Sequence, residues 1–210
     1  MMYIRKSWMD NLGLEMPKTS QDFYDILTAF KNDDPNGNGK ADEVPLFGSE
    51  ATSMGGDVIN WVMNMFLYFN DRRVFNVDDN GQVYAPFTTE EYREGLKFIN
   101  KLYKEELLTN MLYTASSAEM KQITTPASNV AMCGIFVGHL TIHCTMGNEV
   151  MYEYVPMPLW GNAVEGDLSC SKSTFITADC DNPDKAFEVL MTLFSWEGSM
   201  RVRYGEYGVN

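Results

Sequence analysis

Oxygen-bearing side chains are concentrated in the twelve-residue stretch DPNGNGKADEVP, which begins at Asp34. They recur at alternate positions, and a glycine at position 6 permits the sharp turn that a metal-binding loop needs. This spacing is typical of a calcium loop of the EF-hand kind, because alternate residues of a curling loop point inwards. The candidate ligands are Asp34, Asn36, Asn38, Lys40 through its backbone carbonyl, Asp42 and Glu43.

The last part of this loop departs from the EF-hand pattern. Position 12 is Pro45, which has no carboxylate, so Glu43 at position 10 must supply the last ligand. The segment that follows has the pattern of a strand, whereas an EF-hand continues into a second helix. The sequence therefore predicts a structural calcium site outside an EF-hand. The alternative is an Asx-rich turn that binds no metal.

Histidine and cysteine give little support for a transition-metal or catalytic site. His139 and His143 are four residues apart, but the stretch GHLTIHC predicts a strand, in which the two side chains would lie about 13 Å apart. None of the four cysteines forms a C-x-x-C pair, so we expect free, mostly buried thiols, with disulfide pairing as the alternative. The sequence contains no Ser-His-Asp order, no P-loop and no G-x-G-x-x-G after a strand, so it does not predict an enzyme.

The composition excludes several classes of partner. The net charge is -13, and no basic patch is dense enough to bind nucleic acid or an anionic membrane. No apolar run reaches the roughly 18–20 residues that a membrane-spanning helix needs.

Predicted helices and strands alternate along the chain, which indicates an α/β fold with a sheet covered by helices. Helices are predicted for residues 19–32, capped by Thr19 and Asp22, from Asp57, from Thr88, capped by Thr88 and Glu91, and from Pro183, capped by Asn182. Strands are predicted from Glu43, Val130, Met151 and Ser173, with a hairpin at Asn80-Gly81.

Five stretches then carry a resemblance to a known family. They are YIRKSWMDNLGLEMPKTSQDFYDILTAFKNDDPNGNGKADEVPL, DNGQVYAPFTTEEYREGLKFINKLYKEELL, EYVPMPLWG, STFITADCDNPDKAFEVLMTLFS and EGSMRVRYGEYGV. In this order they resemble the family 1 extracellular solute-binding proteins of bacterial ABC importers, particularly the long, oligosaccharide-type lipoproteins. The resemblance implies one lobe of a type 2 periplasmic-binding-protein fold, with a mixed sheet flanked by helices. It also implies capture of a carbohydrate without catalysis, and calcium held by the same six residues.

The resemblance also implies how the chain is organised. Residues 1–170 are expected to form most of the second lobe, and residues 171–210 the segment that returns towards a first lobe. The full-length protein is expected to be extracellular and lipid-anchored, with the membrane subunits of an importer as partners. Without the first lobe, the apolar face of the helix from Pro183 has no sheet to cover, so we expect a homodimer.

Sugar binding in such proteins relies on aromatic rings that stack on the sugar in a cleft. The candidates are Phe136 at a strand end, Trp160 and Trp61, with Ser53 and Met54 in a loop after the strand that begins at Glu43. For each aromatic the alternative is core packing. Two other functions remain open, namely a calcium-stabilised glycan-binding or adhesion module, expected to be a β-sandwich, and a glycosidase fragment, which needs two carboxylates beside a cleft.

Overall fold

The computed structural model describes residues 1–51, 57–69, 75–78, 80–160 and 175–205. The chain divides into two compact units, Met1–Glu165 and Gly166–Asn210. The described strands are β1 (Met2–Arg5), β2 (Val44–Phe47), β3 (Asn76–Val77), β4 (Val83–Tyr84), β5 (Cys133–Val137) and β6 (Tyr154–Pro156). The helices of the first unit are α1 (Lys6–Asn11), α2 (Ser20–Asn32), α3 (Val58–Met63), α4 (Glu90–Lys104), α5 (Ser117–Thr124) and α6 (Leu140–His143), with 3-10 turns at Pro86–Thr88 and Glu149–Glu153. The second unit contains α7 (Pro183–Phe194) and α8 (Trp196–Tyr204).

The main sheet is mixed, with the strand order β2-β5-β1-β6. β2 pairs with β5 in parallel, and β1 is antiparallel to both β5 and β6. Consequently β2, β5 and β6 run in one direction and only β1 of this sheet runs in the other. β3 and β4 form a separate hairpin at the predicted position. A mixed sheet flanked by helices confirms the predicted fold class.

The core lies on both faces of this sheet because side chains alternate along each strand. Met2 and Ile4 of β1 belong to one buried cluster, which also contains the buried faces of α2, α3 and α4. Tyr3 belongs to a second cluster, to which Met120 of α5 contributes. The helix α2 fits this arrangement because its apolar residues recur on one side. Phe23, Ile26, Leu27 and Phe30 are all buried.

The fully buried Arg5 links strand β1 by hydrogen bonds to neighbouring parts of the chain. Its guanidinium donates hydrogen bonds to the backbone oxygens of Cys133, Val150 and Thr124, and it pairs with the Glu153 carboxylate at 2.8 Å. It also lies 4.2 Å from the centre of the Tyr154 ring. A buried charge is tolerated only when it is paired and hydrogen-bonded, and Arg5 meets this condition.

The capping residues predicted for three of the helices are correct in two cases. Thr19 and Asp22 form the predicted capping box of α2, and Asn182 caps α7. The predicted cap of α4 is wrong by one residue. The Thr89 hydroxyl accepts from the backbone N–H of Tyr92, whereas the Thr88 hydroxyl donates to the carbonyl of Ala85 inside a 3-10 turn. The helix predicted over the stretch DVINWVMNMFLYF, from Asp57, is also shorter than expected, since α3 ends at Met63.

Two strand predictions are wrong. GHLTIHC contains the short helix α6, and residues 175–180 of STFITADC form no strand. An apolar, β-branched run of this length does not distinguish a strand from a short buried helix. The histidines are therefore not held apart, since the backbone N–H of His139 lies 2.8 Å from Nδ1 of His143.

The second unit exposes the apolar face of α7. No described residue of this helix is buried, and the exposed fraction is 57% for Phe187, 51% for Met191 and 64% for Phe194. The adjoining Trp196 of α8 is 81% exposed. None of the helices in the described ranges is both long and apolar enough to cross a membrane.

Candidate functional site

The predicted calcium loop connects α2 to β2, and Asp34 organises its turn. Asp34 has a φ of 46° and Gly39 a φ of 73°, so both adopt the left-handed conformation. The Asp34 carboxylate accepts hydrogen bonds from the backbone N–H groups of Asn38 (3.1 Å) and Gly39 (2.9 Å). The carboxylate therefore faces the inside of the loop, as the spacing of the sequence predicts.

The two asparagines close the loop and attach it to the sheet. The Asn36 side chain accepts from the N–H of Asn38 at 2.9 Å and donates to the carbonyl of Ala131, just before β5, at 2.8 Å. The Asn38 side chain accepts from the N–H of Lys40 at 2.7 Å and donates to the Asp42 carboxylate at 3.0 Å. The loop thus satisfies most of its polar groups with its own side chains.

Glu43 is the exception. Both of its carboxylate oxygens are shielded from solvent, and neither has a hydrogen-bond partner among the residues that the structure describes. Burial raises the pKa of this carboxyl group, and the charges of Asp42 and Asp34 raise it further, although nearby backbone N–H groups offset part of the effect. A shielded carboxylate beside two other acids is destabilised by desolvation and by repulsion, and a cation would relieve both.

The donor chemistry of the loop therefore fits a hard cation such as calcium, which prefers carboxylate, amide and carbonyl oxygens. Although Asp34 and Asp42 act on the charge of Glu43, the acids do not converge as a metal-binding group in the described structure. Within the described part of the chain, no three His, Cys, Asp or Glu side chains come together as a metal-binding group. The side-chain amide of Asn38 donates a hydrogen bond to the Asp42 carboxylate.

A second candidate site is the edge of the main sheet where β2, β5 and β6 all end. Ligands of open α/β sheets bind outside the carboxyl ends of the strands, where the following loops meet. After β2, the Ser49 hydroxyl donates to the carbonyl of Ala115 at 2.6 Å, and the Glu50 N–H donates to the carbonyl of Leu112 at 2.8 Å. After β5 comes His139, whose side chain is exposed.

The prediction that Phe136 stacks on a sugar is wrong for this structure. Its side chain is 0% exposed, and its ring lies 5.2 Å from that of Tyr3 and 4.8 Å from that of Tyr154. All five residues of β5 are buried because both faces of the sheet are covered, so an aromatic at this strand end belongs to the core.

The other predicted ligand residues are distributed as follows. Trp160 is half-buried shortly after β6, with its ring 6.3 Å from that of Phe23. Trp61 is half-buried on α3 and packs against the core. Ser53 and Met54 lie outside the described residues. Both tryptophans retain an exposed part, so their role in stacking stays a prediction.

The cysteines behave as the sequence predicts wherever the structure describes them. Within the described ranges, Cys133, Cys144 and Cys180 are free, and the first two are buried. Burial raises the pKa of the Cys133 thiol to about 12 and that of the Cys144 thiol to about 11. Both thiols therefore stay protonated at neutral pH and are poor nucleophiles and poor metal ligands.

Sequence reasoning missed the pair formed by His139 and His143. The exposed imidazole of His139 follows β5 directly, and the fully buried imidazole of His143 holds its backbone. The available signal was the i, i+4 spacing of the two histidines. The incorrect strand assignment hid it, because a strand would keep the two residues apart.

Comparison with known proteins places these features in context. No protein-family model matches the chain. The chain is 39% identical over 108 residues to the fructooligosaccharide ABC transporter substrate-binding protein FusA of Streptococcus pneumoniae serotype 4, a match that covers 51% of this chain and 20% of FusA. It is 37% identical over 122 residues to lipoprotein LipO of Bacillus subtilis, which covers 56% of this chain and 23% of LipO.

Solved structures agree with these matches. The structure of FusA in complex with kestose matches with a TM-score of 0.62 and 30% identity, over 77% of this chain and 31% of that one. An extracellular solute-binding protein from Bifidobacterium longum subsp. infantis matches with a TM-score of 0.62 and 26% identity, over 76% of this chain and 33% of that one. The chain thus spans about a fifth of the length of the curated relatives named here, and about a third of these structures. It is related, over part of their length, to the substrate-binding proteins of sugar ABC transporters, as the resemblance in its sequence indicates.

Proposed function

We propose that the chain is part of the substrate-binding component of an ABC importer and captures a carbohydrate without catalysing a reaction. The observation that carries this proposal is the similarity to FusA, in sequence and in structure, over 77% of the chain in the structural comparison. FusA is named as the substrate-binding protein of a fructooligosaccharide ABC transporter, and its structure is described as a complex with kestose, so an oligosaccharide is the ligand class to test first. The membrane subunits of the importer are the proposed protein partners.

The carboxyl edge of the sheet is the proposed location of the sugar. Polar groups follow β2 and β5 there, and Trp160 follows β6 within four residues. Trp160 and Trp61 are the remaining candidates for stacking on a sugar ring, because each is only half-buried. Stripping one such aromatic contact from a bound ligand should cost on the order of 1–3 kcal/mol of binding free energy.

The alternative functions receive less support. An adhesion module with a β-sandwich is contradicted by the mixed sheet and its covering helices. A glycosidase fragment has no specific observation in its favour, and FusA is a binding protein by name.

We also propose a structural calcium ion in the loop between α2 and β2. Its ligands would be Asp34, Asn36, Asn38, the carbonyl of Lys40, Asp42 and Glu43, as the sequence predicts. The isolated Glu43 carboxylate supports this proposal, because a divalent cation would compensate its lost solvation and its repulsion by Asp34 and Asp42. The ion would fix the loop and would take no part in ligand chemistry.

The proposed location is the outer cell surface, with a lipid anchor in the complete protein. One relative of this chain is named a lipoprotein, which supports this assignment. We further propose that residues 1–170 belong to one lobe and residues 171–210 to the segment that returns towards the other. The boundary between the compact units, Glu165/Gly166, lies near that division.

Isothermal titration calorimetry of the complete protein encoded by the gene, against a glycan panel that includes kestose, tests the proposed function. We expect one class of oligosaccharide to bind, and Trp160→Ala or Trp61→Ala to weaken that binding. Tyr152→Ala is a matched control, because Tyr152 is 70% exposed and precedes β6. If the folded protein binds no glycan of the panel, the proposal fails.

A further inference from the structure

The turn that follows β5 is built around a buried imidazole. His143 is 0% exposed, and its Nδ1 accepts a hydrogen bond from the backbone N–H of His139 at 2.8 Å. The Thr124 hydroxyl of α5 donates to the carbonyl of His143, which fastens the same residue from the other side. The turn is therefore held between α5 and the end of β5.

The imidazole also packs tightly against Gly138. A Cβ atom added to Gly138 would lie 2.5 Å from Nδ1 of His143, a distance that no ordinary contact allows. Only a glycine lets the ring approach the backbone closely enough to accept the N–H of the next residue. The position of His139 is thus set by the ring of His143 and the missing side chain of Gly138.

His143 can act as an acceptor only when it is neutral. In a neutral imidazole one nitrogen accepts and the other carries the proton, so Nε2 must carry it here. Nε2 is buried and has no partner among the described residues. Burial lowers the pKa of His143, and the charges of His139 and of Lys121 on α5 act in the same direction. The neutral form therefore prevails at neutral pH.

This arrangement fixes the backbone of His139, whose side chain is accessible to a ligand. His139 follows β5 at the carboxyl edge of the sheet and its side chain is exposed. Its Nδ1 lies 3.0 Å from the Thr141 hydroxyl, so Nε2 is the ring nitrogen left for another molecule. An imidazole can donate to or accept from a hydroxyl group, which suits a ligand rich in hydroxyls.

We propose that His139 hydrogen-bonds a sugar hydroxyl at this edge, and that His143 is a positioning residue that fixes the backbone of His139. This inference rests on the proposed carbohydrate-binding function and names two residues that act in it. A buried side chain such as His143 holds the residue that contacts the ligand in place before the ligand binds. This lowers the entropic cost of ordering that residue on binding.

Three variants of the complete protein separate these roles, with kestose and the glycans of the same panel as probes. His139→Ala removes the ligand contact, and we expect roughly a three- to tenfold loss of affinity, the value of one hydrogen bond. His143→Leu removes the acceptor and should weaken binding similarly. His143→Asn keeps an amide oxygen near the place of Nδ1 and should restore affinity to within about twofold of the wild type.

The pH profile supplies a readout that packing alone would not change. In wild-type protein, protonation of His143 removes the acceptor of the His139 N–H, so affinity should fall as the pH drops below about 6.5, the ordinary imidazole value, and through the lowered pKa of His143. His143→Asn should lack this part of the fall.

The outcomes are distinguishable from failure of the proposed function. If the folded wild-type protein binds no glycan, the proposed function itself fails. If it binds a glycan but His139→Ala keeps full affinity, the proposed contact is overturned. If His143→Leu lowers the melting temperature while sugar affinity and its pH profile stay unchanged, His143 is structural only and the positioning role is overturned.

Discussion

Replacement of Glu43 by glutamine should change the stability of the protein in opposite directions with and without calcium. Without metal, the substitution removes a shielded, unpaired carboxylate from beside Asp34 and Asp42. We expect Glu43→Gln to be the more stable protein by about 1 kcal/mol in EDTA at pH 7, the lower end of the cost of a buried unsatisfied group. The lower end applies because the side chain is only half-buried.

With calcium present, the same substitution removes a charged ligand. Calcium at 100 times its dissociation constant stabilises the folded state by about 2.7 kcal/mol. At roughly 2–4 °C per kcal/mol for a chain of this size, wild-type protein should gain about 5–11 °C in melting temperature. Glu43→Gln should lose most of that gain. The wild type should therefore be the less stable protein in EDTA and the more stable one in calcium.

The pH dependence of folding stability in EDTA provides a second test. Because burial raises the pKa of Glu43, the folded protein binds its proton more readily than the unfolded chain does. The stability of the wild type should therefore fall as the pH rises from about 4.3, the ordinary value, through the raised pKa of the folded state. Glu43→Gln should lack this part of the profile.

Differential scanning calorimetry in EDTA and in a calcium series measures both effects. Glu15→Gln is a suitable control, because the Glu15 side chain is 90% exposed and lies 3.9 Å from Lys18. A wild-type melting temperature that does not respond to calcium would show that the loop is only an Asx-rich turn. If Glu43→Gln changed the melting temperature equally in EDTA and in calcium, the role of Glu43 as a calcium ligand would be contradicted.

Three further predictions concern other parts of the molecule. Arg5→Met should destabilise the fold by roughly 3–5 kcal/mol, measured by urea unfolding, because Glu153 and the bonded carbonyls lose their buried partner; an effect below 1 kcal/mol would contradict this. The pKa of folded His143 is lowered, so stability should fall as the pH drops below about 6.5, and thermal melts of His143→Asn should lack that fall. The exposed face of Phe187 and Phe194 supports the predicted homodimer, for which light scattering at micromolar concentration should show twice the monomer mass, and a clean monomer would refute it.

The parts of the fold that were predictable from sequence are those that local chemistry specifies. The start of α2 is one example, since Thr19 and Asp22 cap it and its buried residues recur at helical spacing. The turn of the loop is another, because Gly39 adopts the left-handed conformation that a glycine at position 6 permits.

The incorrect predictions share a different cause, which is long-range packing. Phe136 sits at a strand end, but only the contacts with Tyr3 and Tyr154 decide that it is buried. The helix that ends at His143 is likewise specified by its fit against Gly138, which the sequence pattern does not reveal. The burial of the Glu43 oxygens without a hydrogen-bond partner among the described residues is also a property of the folded chain, although the spacing of the sequence already identified Glu43 as a candidate ligand.

The position of β1 within the sheet has a consequence for folding kinetics. This strand is the first in the sequence, yet it pairs with β5 and β6, with Met2 opposite Val137 and Arg5 opposite Tyr154. Closing a loop of more than 120 residues is slow, because its entropic cost precedes any gain from strand pairing. On the ribosome, β1 therefore has no partner strand until β5, which ends at Val137, has emerged, and the sheet is complete only after β6, which ends at Pro156.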